Sequence, residues 1–235
     1  MKKINAISVF FPAYNEEKNI KKTVLSSYNK LKKIADRFEI IVVNDGSKDK
    51  TLEIVRGLEK FDKRIKLINH KHNKGYGGAL KTGFYNCRYE WIFFMDSDGQ
   101  FNFSEIDKLI DVQKKTKSDL VIGSYLSRKV SFFRRLNTFL WQSLVYLVFG
   151  LNVKDIDCAF KLINKKVIDS IPVLESGRGA FISTEFLVKA KLGGFKISEV
   201  PVQHFERSDG VSTGADLKVI LNSFKDLMML RRKLK

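Results

Sequence analysis

An α/β fold, built on a mainly parallel sheet with helices on both faces, follows from three features of the 235-residue sequence. Short apolar runs alternate with amphipathic segments from residue 4 to about residue 123, the pattern of strands joined by helical crossovers. Polar clusters stand directly after several of the runs, at the carboxyl ends of strands where open sheets of this kind gather their ligands. With 44% hydrophobic residues, the chain has apolar surface enough for one large domain.

The elements follow in order. Ile4–Phe11 is the first strand candidate and ends on Pro12-Ala13-Tyr14-Asn15-Glu16, with a helix expected over residues 16–35. Glu39–Val43 is the second and ends on Asn44-Asp45-Gly46-Ser47, with a helix over 50–60. Ile65–Asn69 is the third and leads through Asn73-Lys74-Gly75-Tyr76-Gly77-Gly78-Ala79 into a helix over 77–88 that carries Lys81. Glycines there let the backbone approach a ligand, and a helix N-terminus favours anions. The pattern is neither a dinucleotide fingerprint nor a Walker loop, so a plain structural turn accounts for it as well. Trp91–Met95 is the fourth strand, followed by a helix over 104–116 and a fifth strand at Leu120–Gly123.

The fourth strand runs without a gap into Asp96-Ser97-Asp98-Gly99-Gln100. A buried strand that ends on acidic side chains calls for something positive to meet them. Mg²⁺ or Mn²⁺ suits such a donor set, since hard cations take one or two protein carboxylates and fill their shell with water and phosphate oxygens. In that reading Asp98 and Gln100 share a face at a spacing of two while Asp96 reaches from the strand end. An Asp-rich turn that merely stops the strand is the competing reading. His70 and His72 have no third ligand spaced beside them, so the aspartates are the better hard-metal candidates.

Charge narrows the partners. Forty-three Lys and Arg against 26 Asp and Glu leave a net charge of +17, which suits nucleic acid, anionic membrane or phosphorylated substrates. Basic residues are spread along the chain and no nucleic-acid-binding motif occurs, so nucleic acid is not the expected partner. Cys87 and Cys158 match no metal spacing and are too few for a disulfide scaffold, which points to a reducing cytoplasmic setting. No signal peptide is read at the N-terminus. The greasiest stretch, Leu136 to Val153, is broken by Asn137, Thr138, Gln142, Ser143, Gly150 and Asn152, too often for a transmembrane span. Opened by Phe132-Phe133-Arg134-Arg135, it reads either as a buried helix or as one lying in a membrane interface. The last helix, over 215–235, is apolar on one side and ends Arg231-Arg232-Lys233-Leu234-Lys235, which suits the helix dipole or anionic lipid. Two units are expected: a domain over 1–214 and this basic amphipathic helix over 215–235.

Taken in order, Phe11-Pro12-Ala13-Tyr14-Asn15-Glu16-Glu17, Val43-Asn44-Asp45-Gly46-Ser47-Lys48-Asp49-Lys50-Thr51, the Gly75 turn and Asp96-Ser97-Asp98-Gly99-Gln100 resemble the family 2 glycosyltransferases of GT-A fold. Within them the chain resembles the dolichol-phosphate mannosyltransferase-like enzymes that use a polyprenyl-phosphate acceptor, from about residue 5 to residue 214. The resemblance implies that Pro12, Ala13, Tyr14 and Glu16 line a nucleotide pocket, that Asp45 accepts a hydrogen bond from the base, and that Lys81 and Ser97 belong to the same nucleotide-sugar set. It implies that Asp96 and Asp98 flank the diphosphate and, with Gln100, hold Mg²⁺ or Mn²⁺. Glu185 matches a carboxylate at the start of a later helix, and Arg207, Gly210 and Ser212 match an Arg-x-x-Gly-x-Ser element of donor and acceptor phosphate binding. Asp98, Glu185 and Arg207 are accordingly the expected catalytic residues, and Arg128, Arg134, Arg207 and Ser212 the expected holders of the acceptor phosphate.

Two departures fall on phosphate contacts. Many relatives read Gly-Ser-Arg after the fifth strand where this chain has Gly123-Ser124-Tyr125, leaving that arginine's part vacant or to Arg128. The lysine that often follows the serine of the Arg-x-x-Gly-x-Ser element is Thr213 here. No Gln-x-x-Arg-Trp string occurs, which favours a single transfer over processive synthesis. The expectation is a metal-dependent, inverting transfer of one sugar from a UDP- or GDP-linked donor to a dolichyl or undecaprenyl phosphate. It places the chain at the cytoplasmic face of the cell membrane, in peripheral contact with anionic lipid. A soluble saccharide or protein acceptor is the alternative.

Overall fold

The structure is a computed structural model and describes residues 3–126, 132–177, 179, 181–206 and 217–234. Seven strands form one sheet in the order β3-β2-β1-β4-β6-β5-β7: β1 (Ile4–Ala13), β2 (Ala35–Asn44), β3 (Ile65–Asn69), β4 (Trp91–Met95), β5 (Leu120–Tyr125), β6 (Phe160–Asn164) and β7 (Ile197–Val202). β1 pairs in parallel with β2 and β4, β2 with β3, and β5 with β7. β6 is the exception and runs antiparallel between β4 and β5. The α/β reading therefore holds, with a sheet that is mostly parallel.

The five expected strands are all present. β2 starts at Ala35 rather than Glu39 because α1 (Ile20–Ile34) passes into it with no intervening loop. α1 itself starts four residues later than residue 16, because the Glu16 carbonyl accepts from the N–H groups of Asn19 and Ile20 in a turn. The remaining helices are α2 (Thr51–Phe61), α3 (Tyr76–Asn86), α4 (Ile106–Thr116), α5 (Phe132–Phe149), α6 (Lys165–Ser170), α7 (Phe181–Leu192) and α8 (Leu217–Lys233). α8 packs on α7, with Leu227 and Leu230 buried.

Side chains on successive strand residues point to opposite faces, and β4 shows why both faces need helices. Phe94 meets Phe10 of β1 and Phe84 of α3, with ring centroids 5.4 Å away in each case, and Phe84 stacks in turn on Phe186 of α7 at 5.3 Å. Phe93 faces the other way, toward Phe160 at 4.8 Å and Phe103 at 5.3 Å in the short turn before α4. All of these rings are buried. Each contributes on the order of 1.5–3 kcal/mol in apolar transfer, and together they fix α3 and α4 relative to the ends of β1 and β4.

Gly83 lets α3 come this close. A Cβ there would stand 2.2 Å from Cδ2 of Phe10, whereas one at Gly57 of α2 would meet nothing within 4 Å. Gly83→Ala should destabilise the protein by about 1–3 kcal/mol, the usual cost of overpacking a core. Gly57→Ala should leave stability unchanged or raise it, since alanine is the better helix former. Thermal melting of both variants checks this; a Gly83→Ala protein that melts no lower than Gly57→Ala would contradict the packing argument.

Candidate active site

The ends of β1 and β2 are clasped together by their own loops. Asp45 N donates to the Ala13 carbonyl (2.8 Å). Asn15, in a left-handed conformation (φ 57°), donates its N–H to Ser47 Oγ (2.9 Å) and accepts from Lys48 N through Oδ1 (2.8 Å). Glu16 N donates to Thr51 Oγ1 (2.8 Å), and Glu17 exchanges backbone-to-carboxylate bonds with Asp49 and Lys50 (3.0 and 2.9 Å). Of the residues expected to line a nucleotide pocket, Ala13 and Glu16 are buried here and Tyr14 is 43% exposed. Asp45 is buried, and its Oδ1 accepts from Lys74 N (2.9 Å) and faces Nδ1 of His70 at 2.6 Å.

The end of β4 is tied to the same edge. Ser97 Oγ donates to the Pro12 carbonyl (2.7 Å), which fixes the aspartate turn against β1. Tyr76, the first residue of α3, donates its hydroxyl to Asp96 Oδ1 (3.1 Å). Burial first, and Asp96 next, raise the Tyr76 phenol well above its ordinary value, so it remains a donor. The expectation that Asp98 and Gln100 share a face as on an extended strand is corrected: Gly99 turns the chain at φ 79° and Gln100 N donates to Asp98 Oδ1 (3.1 Å). Gln100 is stitched to the segment after β7 instead, its Nε2 donating to the Phe205 carbonyl (3.1 Å) and its own carbonyl accepting from Phe205 N (2.9 Å).

This donor set fits a divalent cation of the Mg²⁺ or Mn²⁺ type. Asp96 and Asp98 place two hard carboxylates in one tight turn, and no group of three or more His, Cys, Asp or Glu that could hold a metal occurs among the described residues. A pair of carboxylates with the rest of the shell left to phosphate and water is what these ions accept. Because Nε2 of Gln100 is engaged, any part for Gln100 falls to Oε1.

Glu185 lies near the start of α7 (Phe181–Leu192), beside the loop over 173–177. It is buried, and its carboxylate accepts from Glu175 N, Ser176 N (both 2.8 Å), Ser176 Oγ (2.5 Å) and Lys189 Nζ (2.6 Å). Burial alone would raise this carboxyl, but the bonds from Lys189 and Ser176 outweigh it and hold the group below its ordinary value. It is thus an ionised brace for the loop over 173–177. Lys81 belongs to the same brace, its Nζ donating to the Glu175 carbonyl (3.2 Å), as do Lys189 Nζ on the Val173 carbonyl (2.6 Å) and Lys233 of α8, paired with the Glu175 carboxylate. The loop lies directly on α3: a Cβ at Gly77 would stand 2.6 Å from the Gly177 carbonyl oxygen.

Arg128, Arg207 and Ser212 lie outside the described residues, and Arg134 is placed only as the third residue of α5. Tyr125, where the resemblance leads one to expect arginine, packs against His204 (4.5 Å between centroids) and Phe101 (6.1 Å) and so fills space between β5 and the aspartate turn. Sequence reasoning missed Lys161 of β6, fully buried, whose Nζ donates to the carbonyls of Ile156 (3.1 Å) and Cys158 and lies 5.3 Å from the centroid of Phe94. The signal was there as Phe160-Lys161-Leu162-Ile163, a lysine inside an apolar run. Tyr76 was also missed, hidden among the glycines of its turn.

Residues 8–171 match the sequence model of a family described as Glycosyl transferase family 2. A dolichyl-phosphate beta-glucosyltransferase of Trichomonas vaginalis is 34% identical over 84% of this chain and 65% of its own length. A dolichyl-phosphate beta-glucosyltransferase of Saccharomyces cerevisiae is 31% identical over 96% of this chain and 74% of its own length. The chain thus spans about two thirds to three quarters of these two relatives. Among solved structures, glucosyl-3-phosphoglycerate synthase from Mycobacterium tuberculosis, in complex with Mn²⁺ and uridine-diphosphate-glucose, superposes with a TM-score of 0.73 over 97% of this chain and 79% of that one. At 18% identity that likeness is one of fold.

The brace makes a pH-dependent prediction. A carboxyl held below its ordinary value of 4.5 contributes stability that is complete above that value and is lost as pH falls through the depressed one. Glu185→Gln should therefore cost about 1.5–3 kcal/mol near neutrality, the usual worth of hydrogen bonds to a charged group, and the gap to the wild type should close on acidification. Denaturant melts over a pH series measure it; a gap that does not narrow toward acid would contradict the brace.

Proposed function

Since the chain belongs to glycosyl transferase family 2 and is a glycosyltransferase, we propose that it transfers one sugar from a UDP- or GDP-linked donor to a polyprenyl phosphate, with inversion at the anomeric carbon. The observation that carries the reading is the gathering of Asp45, Tyr76, Asp96 and Asp98 at one sheet edge by strand pairing and by the Ser97 bond to Pro12. The acceptor class is supported by the names of the relatives from Trichomonas and yeast, both dolichyl-phosphate beta-glucosyltransferases. Those names also favour a glucosyl group.

In this reading the base lies over the β1 and β2 loops and donates to Asp45 Oδ2, while the diphosphate lies at the aspartate turn. Mg²⁺ or Mn²⁺ held by Asp96 and Asp98, with Gln100 Oε1 beside them, would supply Lewis-acid stabilisation to the departing nucleoside diphosphate. Tyr76 orients Asp96 toward that site. An oxygen of the acceptor phosphate forms the new bond to the anomeric carbon as the bond to the diphosphate breaks. A phosphate monoester with a second pKa of about 6 is mostly dianionic at neutral pH, so it needs no strong general base. That agrees with Glu185 being committed to its loop. Arg128, Arg134, Arg207 and Ser212 are proposed to hold the acceptor phosphate.

The catalytic unit in this proposal is residues 1–214, with the C-terminal helix docked on it. α5 exposes Leu136, Phe139, Leu140, Tyr146 and Leu147, the last at 79%, and α8 exposes Phe224 and Met229 ahead of its basic end. No helix among the described residues is long and apolar enough to cross a membrane. The exposed apolar side chains of these helices support peripheral contact with anionic lipid, where apolar side chains enter the interface and basic ones meet headgroups, and the proposal puts that contact at the cytoplasmic face.

Asp98→Ala should abolish sugar transfer while melting close to the wild type, as read by product mass and thermal unfolding; undiminished transfer would refute the metal assignment. Replacing Phe139 and Leu147 together by serine should reduce flotation with anionic liposomes while leaving the fold intact. Flotation equal to the wild type, or a wild-type chain that never floats, would count against the lipid face and favour a soluble acceptor.

A further inference from the structure

His70 is a buried group for which the proposed reaction has so far given no part. It sits at the exit of β3, its backbone N–H donating to the Asn44 carbonyl (2.9 Å). Its ring is caught between two elements, with Nδ1 2.6 Å from Asp45 Oδ1 and Nε2 2.9 Å from Thr82 Oγ1 on α3. A carboxylate can only accept, so the proton of this bond is on Nδ1. Both ring nitrogens are engaged, and no cluster that could hold a metal occurs among the described residues.

Asp45 Oδ1 is the meeting point of three segments. It receives His70, and also the Lys74 N–H from the glycine-rich turn (2.9 Å). The β2 loop and that turn are in contact besides, since a Cβ at Gly46 would lie 2.7 Å from Asn73 N. A carboxylate gripped through one oxygen by two donors, one of them a ring itself anchored to a helix, has lost its freedom to rotate. Its other oxygen is then aimed without further ordering cost when a ligand arrives.

We infer that His70 is a positioning residue for donor-nucleotide recognition, gripping Oδ1 of Asp45 so that Oδ2 is presented to an N–H edge of the base. Uracil offers such an edge at N3 and guanine at N1 and its exocyclic amine. The inference rests on the proposed reading of Asp45 as the base contact. Thr82 sets the ring plane from the far side, and the glycine-rich turn is held to the same carboxylate.

Binding of UDP, GDP and pyrophosphate, each with Mn²⁺, to the whole chain by titration calorimetry tests it, using the tighter nucleotide for the variants. His70→Ala and His70→Gln should weaken that nucleotide about tenfold, the factor that corresponds to one charge-assisted hydrogen bond. His70→Asn, which puts an amide N–H near the place of Nδ1–H, should recover most of the affinity. Asp45→Ala should weaken binding as much, and the double variant His70→Ala with Asp45→Ala no further, because the two act as one unit. Pyrophosphate has no base, so its binding should be unchanged in all of them. A weakened Asp45→Ala beside an unaffected His70→Ala overturns the positioning role. Equal loss of pyrophosphate binding in His70→Ala also overturns it, marking the histidine as merely structural. An unaffected Asp45→Ala, or a wild type that binds neither nucleotide, overturns the base-contact reading beneath it.

Discussion

The candidate site depends first on the parallel pairing of β1 with β2 on one side and β4 on the other. With Ala13 opposite Asn44 and Phe10 opposite Phe94, the three strands end at one edge of the sheet. Asp45, His70 and Asp96 each follow directly on the last residue of β2, β3 and β4. Parallel strands impose this, since each must be followed by a crossover that returns the chain to the opposite edge. Both faces of the sheet are covered in consequence. The phenylalanines of β4 supply the adhesion: Phe94 toward α3 and α7, Phe93 toward the turn before α4.

Around that edge buried polar and charged side chains hold the loops. Asp45 clamps the glycine-rich turn, Ser97 the aspartate turn, Glu185 with Lys189 the loop over 173–177, and Lys161 the carbonyls of Ile156 and Cys158. Each brace costs desolvation, which is tolerable only because every charged member is hydrogen-bonded. The return is geometric: the carboxylates of the proposed donor site are set before a ligand arrives, which is where electrostatic catalysis gains most.

The first five strands and the four helices between them were legible in the sequence because mainly apolar runs alternate there with amphipathic segments and several exit into polar clusters. β6 was not, although Phe160-Lys161-Leu162-Ile163-Asn164 has the pattern of β3, because it lies beyond the strand–helix alternation that ends near residue 123 and enters the sheet antiparallel between β4 and β5. β7 was not, because Glu199 and Pro201 break its pattern, as an edge strand allows. Asp96 and Asp98 stood out by type and position. Gln100 was read from its spacing to Asp98 and Glu185 from resemblance, and their place in the structure comes from longer-range bonds, to Phe205 and to the loop at residues 175 and 176. His70 and Tyr76 were invisible as site residues because their partners, Asp45 and Asp96, lie 25 and 20 positions away.

The most direct measurement is the position of the metal and the nucleotide together. Crystals soaked with Mn²⁺ and UDP or GDP, recorded at a wavelength where manganese scatters anomalously, should show a single strong peak bonded to the carboxylate of Asp98, bridging the nucleotide's diphosphate, with the base against Asp45. A manganese peak remote from both Asp96 and Asp98, or a base seated away from the β1 and β2 loops, would contradict the account.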